Sequence, residues 1–518
     1  MASLRNVYTA FVFIAFGGLL FGYIIGINGN VVTSGQLTCS DSWSGPVGTW
    51  TSYGFRQCYQ LSALQKGVFS SLNLIGACLS SLICFRFADS LGRKLEVQLG
   101  ALLYFAGAVV AALSPTLWGI YAGFTIYGFG IGFAMHAAPV YIAEISPAAV
   151  RGSLVSAKEA VVVTGIFLGF FCGYALSGLE SVGWRYMVAV SGVFALIMEI
   201  GITVVPQSPR YILLRAVRDS GLRGPDSRLL EEAGLALQYF RAAASLSEVA
   251  EELEEMRQDI ASVVGREPAK CTAACGYPRQ LFIGCGLVFL QQVTGQPSVL
   301  YFATDIFKSA GFGGASAFSP VIVGAMKLIA TLFTVWRVDN YGRRKLLFAG
   351  ILMMTVALIA VGVCFSFREC ETPGTSVRDC EPAQLSLPRP AALVTVAGLM
   401  LYVSGYQVGF GPIAWLMISE VFPLQVRGAA LSLAAIVNFG SNISMTLVQE
   451  TLLDLLTPSG VFLIYAALCV ASLAFVHFVV PETKGQTLEQ IEAMLSRSKD
   501  PRRLQLLEER RASASASA

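Results

Sequence analysis

Long apolar runs separated by short polar segments dominate the chain. Each run has about 20 residues, the length that an α-helix needs to cross the hydrocarbon core of a bilayer. The runs fall at 8–28, 64–86, 97–116, 119–141, 154–178, 185–205, 280–302, 317–338, 346–367, 391–417, 429–449 and 460–480. This pattern predicts an all-α integral membrane protein with twelve transmembrane helices, arranged as two sets of six.

A polar central stretch separates the two sets. We expect an N-terminal six-helix half over 1–206, a helical linker over 207–279, a C-terminal six-helix half over 280–481 and a tail over 482–518 with a disordered end. Inside the linker, "SLSEVAEELEEMRQDIASVV" is typical of an amphipathic helix. We expect a capping box of Ser245 and Glu248 to begin it.

Composition supports the membrane assignment and excludes other classes. The chain is 55% hydrophobic and 13% charged, whereas soluble proteins have about 25% charged residues. A net charge of +3 is too small to indicate a nucleic-acid partner. The spans contain no recognisable nucleophile–base or metal-ligand pattern, so we expect no enzyme activity, cofactor or metal, and structural roles for His136 and His477.

The distribution of Lys and Arg predicts the orientation, because cytoplasmic loops carry an excess of both. They cluster in the loops after spans 2, 4, 8 and 10, in the linker and in the tail. Both termini and the linker are therefore expected in the cytoplasm. Cys39 with Cys58, and Cys370 with Cys380, then lie on the opposite side, where either pair can form a disulfide if the compartment is oxidising.

Motifs repeat between the two sets of spans. "RFADSLGRK" after span 2 matches "RVDNYGRRK" after span 8, and "EISPAAVRG" after span 4 matches "EVFPLQVRG" after span 10. Glu144 and Pro206 are 62 residues apart, and Glu420 and Pro481 are 61 residues apart. Two similar halves around a midplane cavity are typical of alternating-access transporters.

The repeated motifs place acids with bases at the cytoplasmic ends of the helices. We expect these charges to pair when the cytoplasmic side is closed and to separate when it opens. Simple anchoring of the loops by positive charge is the alternative. The predicted gating charges are Asp89, Arg93, Glu144, Arg151, Asp339, Arg343, Glu420 and Arg427.

Polar and aromatic side chains inside the spans are candidates for binding substrate. Amides donate and accept hydrogen bonds at once, which suits a ligand with several hydroxyl groups; hydrogen bonding between helices is the alternative. Asn442 begins a glycosylation sequon within a span and is expected to stay unmodified. The candidates are Gln291, Gln292 and Gln296 in span 7, Gln407 and Trp415 in span 10, Asn438 in span 11, and the aromatic Tyr23 and Tyr406.

Taken together, the motifs resemble the sugar porters of the major facilitator superfamily. The resemblance is carried by "DSLGRK", "PVYIAEISPAAVRG", "PQSPR", "QQVTGQPSVLYF", "DNYGRRKLL", "GPIAWLMISEVFPLQVRG", "NFGSN" and "PETKG". It is closest to the plant vacuolar and plastid branch of D-xylose-proton symporter-like proteins. The resemblance implies a monosaccharide substrate, favouring glucose, bound at Gln291, Gln292 and Asn438 by a protein that works as a monomer.

The chain departs from that family at four positions. Ile24 and Phe124 stand where proton-coupled members carry an acid and an Arg. Glu159 and Lys327 stand where most members carry sugar-binding Gln and Asn, and we expect these two charges to approach across the cavity, with local pairing as the alternative. We therefore favour facilitated uniport. The alternatives are proton coupling through Glu159 and, in another functional class, a sugar sensor; the sequence leaves the membrane itself undetermined.

Overall fold

The structure, a computed structural model, is built from helices. The described residues are 4–32, 34, 37, 39, 58–179, 182–219, 227–243, 245–264, 276–296, 299, 318–370, 385–422, 426–484, 491, 494 and 495.

The described residues of the first half form six long helices, and each overlaps one predicted span. They are α1 (Arg5–Val32), α2 (Ala63–Leu91), α3 (Arg93–Leu113), α4 (Leu117–Ile145), α5 (Ala148–Leu176) and α6 (Gly183–Val204). The linker then contributes α7 (Pro209–Asp219), α8 (Ser227–Arg241), a 3₁₀ turn (Leu246–Glu248) and α9 (Ala250–Val264).

The second half repeats the pattern of the first, with one interrupted span. Its helices are α10 (Pro278–Val293), α11 (Ser319–Tyr341), α12 (Arg343–Phe365), α13 (Arg389–Val408), α14 (Phe410–Val421), α15 (Arg427–Leu455) and α16 (Pro458–Phe478). The tenth predicted span is therefore two helices, α13 and α14, which meet at Gly409. Within the described residues, 11 helical segments are long and apolar enough to cross a membrane; the seventh span is represented by the shorter α10.

The predicted capping box in the linker is wrong. Ser245 makes no side-chain cap bond to the backbone, because its hydroxyl lies 2.7 Å from the Ser247 hydroxyl instead. A 3₁₀ turn follows, and the α-helix begins only at Ala250.

The two halves meet through symmetry-related pairs of helices. α2 packs on α15, and α5 packs on α11. These are spans 2 with 11 and 5 with 8, so each pair becomes the other when the halves are exchanged. The substrate candidates Glu159 on α5 and Lys327 on α11 therefore lie on helices that face each other across the boundary.

Small residues allow close packing between α1 and α5. A Cβ atom added at Gly26 would lie 2.4 Å from the Ile166 carbonyl oxygen and 2.9 Å from the Gly169 Cα. Membrane helices use such residues because lipid provides little hydrophobic drive for helix association. Any larger side chain at Gly26 would separate the two helices.

The linker docks on the first half. Asn6, at the start of α1, donates to the Tyr239 carbonyl at 2.7 Å. Arg241 donates to the Ile145 carbonyl at 2.9 Å, where α4 ends and its last carbonyls have no partner within the helix. Glu252 holds Arg241 in a bidentate ion pair with a shortest distance of 2.6 Å. We call this end of the bundle the linker side.

The loops on the far side carry the remaining regular structure described. β1 (Glu369–Cys370) pairs antiparallel with β2 (Leu385–Ser386). Cys39 and Cys58 form a disulfide, with Cα atoms 5.2 Å apart. The second predicted pair is Cys370 with Cys380, and Cys380 lies outside the described residues.

Candidate substrate site and charged pairs

A row of amides joins α10 to α15. Gln292 Nε2 donates to Asn438 Oδ1 at 2.5 Å, and Asn442 Nδ2 donates to Gln292 Oε1 at 3.1 Å. Thr446 continues the row, 3.3 Å from Asn442 Oδ1. Asn442 was not among the predicted site residues. Its spacing of four residues from Asn438 was the available signal, because residues four apart share a helix face.

Gln291 faces the interruption between α13 and α14. Its Nε2 donates to the Phe410 carbonyl at 3.1 Å, at the first residue of α14. Its Oε1 is buried and has no partner among the described residues. A buried amide oxygen without a donor is unusual, so Gln291 retains an acceptor for a hydroxyl donor.

Gln407 belongs to the same interruption and is almost completely buried. Its Oε1 also has no described partner, and it occupies the space that a Cβ at Gly411 would fill, 2.2 Å away. The structure therefore places Gln407 over the start of α14. Gln407 is not among the residues that line a small cavity between α11 and α13.

This small cavity lies between α11, α13 and the segment that follows α10. It is lined by Gln296, Lys327, Tyr402, Val403 and Tyr406. The Lys327 ammonium lies 5.6 Å from the centre of the Tyr406 ring, within the range of a cation–π contact.

Glu159 reaches the same group from the other half. It interacts electrostatically with Lys327, and the two described side chains form no ion pair within 4.0 Å. Lys327 is only 4% exposed, whereas Glu159 is half-buried. The structure thus brings an acid of α5, a base of α11 and a phenol of α13 together between the halves.

A third charge, Lys158, joins this group and was missed by the sequence analysis. It is 7% exposed, its Nζ lies 6.0 Å from the centre of the Trp415 ring, and it interacts electrostatically with Glu159. The adjacent charges "KE" within an apolar run were the signal. Lys158 and Trp415 extend the group toward α14.

Tyr23 does not join the group. Its hydroxyl donates to the Met187 carbonyl at 2.8 Å and lies 3.0 Å from Cys172 Sγ. The side chain is 1% exposed and sits in the core of the first half. The structure gives Tyr23 a packing role between α1, α5 and α6, because its polar end already has partners there.

Ile24 and Phe124 come together in the first half. Both line one small cavity with Gly107, Tyr127 and other residues of α3, α4 and α6. Ile24 is 2% exposed and Phe124 is 1% exposed. The two positions are therefore neighbours, and here their neighbourhood contains no charged side chain among the lining residues.

Equivalent ion pairs lie on the linker side of each half. Arg93 Nε is 3.1 Å from Glu144 Oε1, and Arg343 Nη2 is 2.9 Å from Glu420 Oε1. Each pair joins the start of a half's third span to the end of its fourth span. The side chains of the other predicted gating charges lie outside the described part of the chain; these are Asp89, Arg151, Asp339 and Arg427.

The two arginines follow glycines with left-handed backbone. Gly92 has φ 83° and Gly342 has φ 90°, a region that favours glycine. The side chain of Gln207 accepts from the Lys94 backbone amide at 2.9 Å, and Glu482 accepts from the amides of Arg343 and Arg344 at 3.0 and 3.2 Å. Corresponding segments after spans 6 and 12 thus cap the helices that carry the arginines.

Comparisons with known proteins agree with this architecture. Residues 10–495 match the family described as sugar (and other) transporter. "D-xylose-proton symporter-like 2" of Arabidopsis thaliana is 41% identical over 494 residues, covering 93% of this chain and 90% of that protein. "Glucose transporter GlcP" of Staphylococcus epidermidis is 30% identical over 489 residues, covering 94% of this chain and 97% of that protein.

A solved structure gives the fold. The proton:xylose symporter XylE bound to 6-bromo-6-deoxy-D-glucose superposes with a TM-score of 0.72 at 24% identity, covering 95% of this chain and 100% of that chain. The fold is that of the major facilitator superfamily, twelve transmembrane helices in two halves. With its motifs, its fold and a family match over almost its whole length, the chain belongs to the sugar transporter family of multi-pass membrane proteins, which are not enzymes.

Proposed function

We propose that the protein carries a monosaccharide, a hexose of the glucose type, by alternating access and without proton coupling. The observation that carries the proposal is the convergence of sugar-type hydrogen-bonding groups from α10 and α15 of the second half. The amide row contributes Gln292, Asn438 and Asn442, and Gln291 contributes a buried acceptor without a described donor. Relatives named as xylose and glucose transporters support the substrate class.

The case for uniport rests on Ile24 and Phe124. The resemblance implies that proton-coupled members carry an acid and an Arg at these positions. Here both are apolar and line one cavity, and none of the described residues that line it could take up a proton. A proton would need another carrier.

Glu159 is the candidate for that alternative. It is a half-buried carboxylate between the halves, and several relatives are named proton symporters. Lys158 is its neighbour in the chain, and Lys327 lies on the facing helix α11. We favour uniport because Ile24 and Phe124 replace the usual coupling pair, which leaves Glu159 to position the sugar.

The ion pairs on the linker side are proposed to support gating. Arg93–Glu144 and Arg343–Glu420 each lie within one half, so they hold the ends of neighbouring helices rather than bridging the halves. When one half moves against the other, the helix ends that each ion pair holds together would make different contacts with the opposite half. The charge distribution of the loops supports a cytoplasmic location for this side.

Uptake by purified protein in proteoliposomes tests the mechanism. Labelled glucose, galactose, xylose and fructose are each measured with no gradient and with an imposed pH gradient. The proposal expects uptake of a hexose that equilibrates and never accumulates, with or without the gradient. Accumulation that disappears when an ionophore collapses the gradient would replace uniport with proton coupling.

Asn438→Ala tests the site separately. It removes a sugar contact and the acceptor of Gln292, and each lost hydrogen bond is worth about 1 kcal/mol, so sugar affinity should fall about 5- to 30-fold. Ser444→Ala on the same helix is the matched control, since among the described residues the Ser444 hydroxyl bonds to the Gly440 carbonyl of its own helix, at 2.9 Å. Equal affinity in both variants would place the substrate elsewhere.

A further inference from the structure

A second polar cluster lies inside the first half, away from the substrate group. Cys84 of α2, Glu96 of α3 and His136 of α4 converge from three helices. One ligand-type atom from each, a thiol sulfur, a carboxylate oxygen and an imidazole nitrogen, lies within 4.8 Å of the others. His136 Nδ1 is 2.6 Å from Glu96 Oε1.

The cluster is buried and incompletely partnered. Cys84 is 0% exposed and Glu96 is 1% exposed, while the His136 side chain keeps an exposed edge of 16%. Glu96 Oε2 is buried and has no hydrogen-bond partner among the described residues. A carboxylate oxygen in such a place costs free energy unless a cation or a donor meets it.

We infer that Cys84, Glu96 and His136 form a binding site for a divalent metal ion of the zinc class. Zinc binds thiolate, imidazole and carboxylate ligands, commonly three from the protein with a water as the fourth. Binding releases the thiol proton of Cys84. The thiolate and the carboxylate then balance the two charges of the metal, so the loaded site is neutral, as a low-dielectric interior requires.

A metal at this site would connect three helices of the first half. Glu96 follows Arg93 by three residues on α3, about one helical turn, and His136 precedes Glu144 on α4. A metal would therefore join α2, α3 and α4 next to the Arg93–Glu144 ion pair. The loaded protein should resist heat better than the metal-free protein, because the ion binds only the folded arrangement.

Metal analysis of the full chain tests the site directly. The protein is purified with a tag that contains no histidine, exposed to Zn²⁺, desalted and analysed for bound zinc. The variants Cys84→Ser, Glu96→Gln and His136→Gln remove one ligand each. Cys78→Ser and His477→Gln are matched controls, since Cys78 is a half-buried thiol on the same helix and His477 is the other of the 2 histidines in the chain.

The wild type and both controls should retain about one zinc per chain, and the three ligand variants should lose most of it. Zinc should also raise the thermal unfolding temperature of the wild type and leave that of the ligand variants unchanged. X-ray absorption of the loaded wild type needs no variant and should show one sulfur at about 2.3 Å. Zinc retention by all three variants, or a metal environment without sulfur, would overturn the assignment.

Discussion

Neutralising Glu159 gives the sharpest test of the charged group between the halves. Glu159→Gln keeps the shape of the side chain and removes its charge. Lys327, which is 4% exposed, then keeps only the Tyr406 ring, 5.6 Å away, as a favourable neighbour among those described. Lys158 also loses its electrostatic partner.

The size of the effect follows from burial. Breaking a fully buried ion pair costs about 3–5 kcal/mol. The effect should be smaller here, because the two charges interact without direct contact, Glu159 is half-buried and solvent screens part of the interaction. We expect about 1.5–3 kcal/mol, which is about a 10- to 150-fold loss of transport efficiency. Lys327→Asn alone should cause a similar loss, because it leaves the carboxylate with Lys158 only.

The assay is a double-mutant cycle in proteoliposomes. Initial uptake rates at low sugar concentration are measured for the wild type, the two single variants and the double variant Glu159→Gln with Lys327→Asn, each normalised to the reconstituted protein. Contacting residues have interaction energies of about 0.5–3 kcal/mol, so the double variant should be more active than the product of the single effects. Additive losses would show that the two charges act independently and would refute the pair.

Three further perturbations address other parts of the molecule. Tyr406→Phe should weaken sugar affinity severalfold in an equilibrium binding assay, whereas Tyr23→Phe should leave affinity unchanged and lower stability by about 1 kcal/mol; the opposite pattern would exchange their roles. Arg343→Ala breaks the pair with Glu420 and should slow uptake while equilibrium sugar binding persists, so full-rate uptake would contradict a gating role. Gly26→Leu should abolish the monodisperse folded peak in detergent, since its Cβ would lie 2.4 Å from a carbonyl oxygen of α5; normal yield would contradict the close packing.

The sequence predicted the transmembrane helices well because a bilayer imposes a length and an apolar composition on each of them. The interruption of span 10 was less accessible. "YQVGFGPIAW" reads as one apolar run, and the break at Gly409 depends on backbone angles that Gly350 of α12 accommodates by close contact.

Sites that combine several helices were harder to predict. The approach of Glu159 and Lys327 could be predicted because Arg151 and Asp339 mark the cytoplasmic ends of their spans and the helical rise then gives each charge an approximate depth. Cys84, Glu96 and His136 have no such constraint. They come from three helices without a motif spacing, and the sequence predicts no more than a structural role for His136, whereas the fold places it 2.6 Å from a buried carboxylate. The number of residues between Cys84, Glu96 and His136 along the chain does not indicate that their side chains meet in the fold.

Because the linker is docked on the first half, a label on the linker would report the movement of that half from outside the bilayer. Arg241 is hydrogen-bonded to the end of α4 and Tyr239 to the start of α1. We therefore expect α8 to move with these helices as one rigid body. Leu246, at the 3₁₀ turn, is 41% exposed and offers an attachment point for a fluorophore, with a second on exposed Lys484 after α16. Distances between the two dyes in single molecules would then record each transport cycle as a change in energy transfer, without any label in the membrane.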